Sequence, residues 1–147
     1  MADVLFYHLT QSKLEQALPG LLERTLQRGW KAVVQFSSST RRDAMDDHLW
    51  TFRDDSFLPH ASQGDGSGQP VWLTVEDDTP NAADVCFLVD GADRDDLGAF
   101  ERAIYMFDGY DETAVAQART QWKARKDEGH ALTYWQQDDE GRWVKKA

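Results

Sequence analysis

The order of apolar runs in the first 36 residues leaves few folds open to this chain. Residues 4–10 form a short apolar run and read as a strand. Ser12 follows with Glu15 three positions on, the spacing of a capping box. Leu14, Leu18, Leu21, Leu22 and Leu26 then recur on one helical face. Gly29 stands where a helix end favours glycine. Pro19 conflicts with that pattern, because an interior proline removes a hydrogen bond, and it predicts a kink or break. Residues 30–36, Trp-Lys-Ala-Val-Val-Gln-Phe, read as a buried strand. Strand, helix, strand at this spacing is the unit from which layered α/β folds are built.

The alternation continues. Residues 37–40 cap a second predicted helix over 41–52, and residues 54–69 read as a loop with Gly64, Gly66 and Gly68. Strands are expected over 71–75 and 85–89. Asp95 or Asp96 caps a predicted helix that carries Leu97, Phe100, Ala103, Ile104 and Phe107. Asp111 opens another helix, running to about residue 128 with Gly129 behind it. Residues 131–137 and 142–145 flank Asp139-Glu140-Gly141 and read as a hairpin. The expected fold class is α/β: a single-domain, Rossmann-like three-layer fold over residues 1–147. It has a mostly parallel mixed sheet, helices on both faces and a C-terminal antiparallel hairpin. A length of 147 residues is enough for one domain with a sizeable core.

Charge and composition narrow the function. The formal net charge is −10. Proteins that bind duplex unaided usually carry a basic excess, so neither nucleic acid nor an anionic membrane is expected as a direct ligand. The single cysteine, Cys86, precludes an intrachain disulfide and a thiolate zinc cluster. The N-terminus lacks a signal-peptide pattern and no apolar stretch approaches ~20 residues, so a cytoplasmic protein is expected. A Gly-x-x-x-x-Gly-Lys-Ser/Thr loop is absent, and the glycine cluster precedes a strand and opens no helix. His8, His48, His60 and His130 lack ligand spacing, and residues 76–96, with eight acids around Arg94, lack the order of a calcium loop. No metal, cofactor or catalytic residue is expected.

One constellation stands apart. Residues 119–126 read Arg-Thr-Gln-Trp-Lys-Ala-Arg-Lys, four bases and no acid in an acidic chain. Arg119, Trp122, Lys123 and Lys126 fall at i, i+3, i+4 and i+7 of the predicted helix and so share a face. A solvated helix face that complements the helix dipole is the plain reading. The aromatic between arginine and lysine suggests a second one, a seat for an acidic peptide that ends in an apolar side chain. Trp50-Thr51-Phe52 and Ser56-Phe57-Leu58-Pro59-His60 form a further aromatic group, suited either to core closure or to a groove wall.

Five segments carry a resemblance to a known family. They are Phe6-Tyr7-His8-Leu9, Leu49-Trp50 with Ser56-Phe57-Leu58-Pro59-His60, Phe107-Asp108-Gly109-Tyr110-Asp111, Ala118-Arg119-x-x-Trp122-Lys123, and Gly129-His130-x-Leu132. Together they resemble the chi subunit of bacterial DNA polymerase III. The resemblance implies a non-catalytic clamp-loader adaptor with a Rossmann-like fold. It implies binding of the acidic C-terminal tail of single-stranded DNA-binding protein and, in many members, pairing with the psi subunit. The tail pocket implied by the family falls on Arg119, Trp122 and Lys123, with Trp50 and Phe57 on its other side; Lys126 extends the basic face. The competing readings are a small α/β nucleotide-binding enzyme and a clamp-loader scaffold without tail binding.

Overall fold

The computed structural model describes residues 2–51 and 58–147. Its elements run β1 (Asp3–Leu9), α1 (Leu14–Gln27), β2 (Ala32–Gln35), α2 (Ser39–Thr51), β3 (Val71–Thr74), β4 (Val85–Val89), β5 (Arg102–Asp108), α3 (Glu112–Asp127), β6 (Ala131–Gln137) and β7 (Trp143–Lys145). The seven strands form one sheet in the order β3-β2-β4-β5-β1-β6-β7. Every pairing is parallel except β6 with β7, which closes the C-terminal hairpin. The expected α/β class is what the chain adopts.

The period-2 alternation of strand side chains splits the core into two layers. Leu5, Tyr7, Val34, Phe87, Ile104 and Met106 point to one side, where α1 and α2 cover them with Leu14, Leu18, Leu22, Met45 and Leu49. Val4, Phe6, Val33, Cys86, Leu88, Ala103, Tyr105 and Phe107 point to the other side, where α3 seats Ala118. Helices therefore lie on both faces.

Three sequence expectations need correction. The helix predicted from Asp95 onward is a short 3-10 turn, Leu97–Ala99, followed by β5. Its apolar residues fit a helical period, but β5 is buried on both faces, and a doubly buried strand reads as a continuous apolar run. Ser12 does not cap α1. The cap residue is Lys13, whose backbone N–H donates to Gln16 Oε1 at 2.9 Å. Ser12 belongs instead to a loop held by Gln137 Oε1, which accepts the N–H groups of Thr10, Gln11 and Ser12 at 3.1, 2.9 and 3.0 Å. Pro19 does not end its helix: α1 runs on through it from Leu14 to Gln27.

Candidate partner-binding site

The basic helix is built outward from its buried stripe. Asp111 caps α3, with Oδ1 accepting the N–H groups of Thr113 and Ala114 at 3.0 and 3.3 Å, so the sequence reading of its start holds. Ala118, Gln121 and Arg125 are the buried residues of the helix, and Ala114, Val115 and Trp122 are half-buried beside them. Arg119, Lys123 and Lys126 are exposed. None of those three cations pairs with a carboxylate among the described residues.

Trp122 sits at the border between the two stripes. Its ring meets Phe6 edge-on at a centroid distance of 5.3 Å and Tyr134 at 5.9 Å. The indole therefore anchors α3 to β1 and β6, and the ring is half-buried on the same helix as the exposed cations. Tyr134 extends this corner. Its hydroxyl shares a 2.5 Å hydrogen bond with His8 Nδ1. Burial pushes the Tyr134 hydroxyl toward higher pKa, and nearby Arg119 works against that rise, which places the Arg119 guanidinium within electrostatic reach of the phenol. Burial lowers the pKa of His8, so its ring favours the neutral form. Gly109 lies against that ring: a Cβ there would run into His8 and the Leu9 carbonyl. Tyr134 and His8 escaped the sequence reading of the site. A period-2 reading of residues 131–137 puts Leu132 and Tyr134 on the α3 side and is the signal that finds Tyr134.

The fourth base of the run has another task. Arg125 turns inward, where Nε donates to the Tyr105 hydroxyl at 3.1 Å, Nη2 to Asp93 at 3.0 Å and Nη1 to Glu128 at 2.6 Å. Arg94 is likewise buried, donating to Asp96, Gln35 and Thr79. The acidic segment 76–96 is therefore folded around two buried arginines, and no metal-holding cluster occurs among the described residues.

Trp50, the described residue of the other predicted wall, lies elsewhere. Trp50 stands near the end of α2 and its ring packs on His60 at 4.3 Å. Neighbouring Ala61 bridges Trp72 of β3, at the far edge of the sheet. The side chains that seat α2, Met45 and Leu49, belong to the core layer opposite α3. Four strand spacings, ~19 Å at ~4.8 Å each, separate β3 from the β1 strand beneath Trp122. The structure does not bring Trp50 to the α3 corner, because the two helices pack on opposite sides of the sheet. Phe57 lies outside the described residues.

Residues 1–133 match the family described as "DNA polymerase III chi subunit, HolC". The chain belongs to the DNA polymerase III chi subunit family. Among chi relatives is a protein of Rickettsia prowazekii (strain Madrid E) named "Probable DNA polymerase III subunit chi", to which this chain is similar. The two are 25% identical over 117 residues, covering 74% of this chain and 71% of the relative. The chi match spans β1 through the first half of β6, and so includes α3 and the strands beneath it. The hairpin strand β7 lies beyond it. No helix among the described residues is long and apolar enough to cross a membrane.

Proposed function

We propose that this chi-family chain is a non-catalytic, cytoplasmic adaptor that binds the acidic C-terminal tail of single-stranded DNA-binding protein on the outer face of α3. In doing so it couples the clamp loader, directly or through a psi subunit, to coated template. The observation that carries the reading is the set of three exposed cations, Arg119, Lys123 and Lys126, without a carboxylate partner among the described residues, on the same helix as a half-buried tryptophan in a chain of net charge −10. Arg119 takes the terminal carboxylate through its two-pronged edge. The last apolar side chain lies in the corner between Trp122 and Tyr134, and the tail aspartates run past Lys123 and Lys126. The width of the sheet between Trp50 and Trp122 keeps a single phenylalanine ring from meeting both, so Trp50 would serve an upstream part of the partner.

Arg119→Ala is expected to weaken binding of a labelled tail peptide at least ~tenfold, equal to ~1.4 kcal/mol. Trp122→Phe, which keeps an aromatic against Phe6, is the companion variant that separates lost binding from lost packing. Unchanged affinity in both, measured by fluorescence anisotropy with melting temperatures as folding control, rejects the site.

The enzyme alternative would use the crevice outside the carboxyl ends of β1 and β5. There the connections diverge to opposite faces of the sheet, as α/β ligand sites require. That crevice encloses about 710 Å³. Its walls carry Glu15, Asp90, Asp108 and Asp111 against Lys13 and Arg41. Arg41 is already engaged by Asp90 at 3.1 Å and Glu15 at 3.7 Å. A surplus of carboxylates repels the phosphates that a nucleotide would bring. Thermal shift with a nucleotide panel tests this: stabilisation by a nucleotide and none by the tail peptide favours the enzyme.

A further inference from the structure

A second concentration of positive charge lies on the opposite side of the sheet from α3. The last turns of α1 bring Arg24 and Arg28 to the amino-terminal edge of the sheet, where β5 begins with Arg102. These three arginines, with Trp30 and Tyr7, line a pocket of about 430 Å³ whose floor includes Ile104. No carboxylate among the described residues pairs with any of the three. Trp30 organises two of them. The Arg28 guanidinium carbon stands 4.2 Å from the centre of its ring and that of Arg102 5.2 Å. Arg102 and Arg24 also bear electrostatically on the Tyr7 phenol, so all three converge on one space.

We propose that this pocket is a second partner site, one that receives an acidic segment of another protein: carboxylate side chains with one apolar side chain beside them. The argument is charge complementarity. Guanidinium groups placed over an aromatic ring can keep N–H groups for a further partner, and those N–H edges fit carboxylates in pairs. Three arginines in one pocket with no carboxylate partner among the described residues are unusual in a chain with 26 acids and 16 bases. The apolar floor and the Trp30 edge take the uncharged side chain. Single-stranded nucleic acid fits less well. Its bases need an open aromatic face, and two guanidinium groups already lie over Trp30. A long polyanion would also run onto the acidic remainder of the surface, whereas a short acidic segment needs only the local field.

The site is independent of the α3 proposal, because it lies on the α1 side of the sheet and shares no residue with it. The test uses the full-length chain carrying Arg119→Ala and Lys123→Ala, so that the α3 face is disabled. The probe is a fluorescein-labelled peptide, Asp-Asp-Asp-Asp-Leu-Phe-amide, followed by anisotropy and by the Trp30 indole N–H resonance. The double variant is expected to bind the probe and shift that resonance. Adding Arg24→Gln and Arg28→Gln, both exposed positions, is expected to weaken binding at least ~tenfold with the melting temperature unchanged. An unmoved Trp30 resonance overturns the proposal, as does equal affinity after the two glutamine substitutions. Tighter binding of short oligo-thymidine than of the peptide at this pocket also overturns it, by making the ligand a nucleic acid. Loss of all probe binding on Arg119→Ala and Lys123→Ala alone would leave the α3 reading standing and remove this one.

Discussion

Cys86 shows how a single position is set by its surroundings. It lies mid-strand in β4 with its side chain in the α3-side core, and burial pushes its thiol from 9.0 up to about 12. The thiolate is the reactive form, so native protein at neutral pH should leave Cys86 unlabelled by a maleimide while denatured protein labels at once. Labelling of the native state at the rate of a free thiol contradicts the buried placement. The linkage follows the same direction. The unfolded thiol ionises near pH 9 and the folded one does not, so its contribution to stability is whole below pH 9 and is lost as pH rises toward 12. Burial raises the phenols of Tyr7, Tyr105 and Tyr134 as well, and their contributions decline in the same sense above pH 10. Urea midpoints should therefore fall steadily from pH 9 to pH 11, and a flat profile would contradict this. The buried character of Cys86 was legible from Val85 and Phe87 on either side. The inward turn of Arg125 was not, because its partner Asp93 is 32 residues away in sequence.

At the scale of elements, α1 explains why a proline rule misled. Pro19 lacks the N–H that would meet the Glu15 carbonyl four residues back. That carbonyl instead accepts from His48 Nε2 of α2 at 2.6 Å. The helix persists because a neighbouring helix supplies the missing donor, a contact between residues 15 and 48 that no local pattern reveals. Replacing His48 with alanine should cost ~1–3 kcal/mol in chemical denaturation, and clearly less when Pro19→Ala restores the backbone donor. Equal cost in both backgrounds would show that the bond does not compensate for the proline. The strand-for-helix error at β5 has a related origin. Ala103, Ile104 and Phe107 satisfy helical spacing by coincidence, and only pairing with β1 and β4 decides the matter. Elements with amphipathic faces and clean caps, such as α3 behind Asp111, were readable locally; those shaped by distant partners were not.

For the molecule as a whole, the net charge conceals its own distribution. Acid gathers in the segment folded around Arg94, while cations collect on the outer stripe of α3 and at the foot of α1. Binding of the tail peptide to the α3 face should weaken as salt is raised, because Arg119, Lys123 and Lys126 are exposed and their field is screened. Affinity constant between low and moderate salt in a titration series would point to a purely apolar seat. The exposed basic stripe of the proposed site could be read from spacing alone, since one helix supplies it. The expected second wall could not be tested by spacing, because sequence order does not say that α2 and α3 pack against opposite sides of one sheet.

The way α3 is fastened has a consequence for how such a surface changes over generations. Ala118, Gln121 and Arg125 hold the helix down, whereas Arg119, Lys123 and Lys126 lie on a separate stripe and contribute no ion pair to the described fold. The outward stripe can therefore drift, or be rewritten by an engineer, while the helix keeps its seat. Trp122 borders both stripes, so it is a position where a change of partner would also demand a change of core.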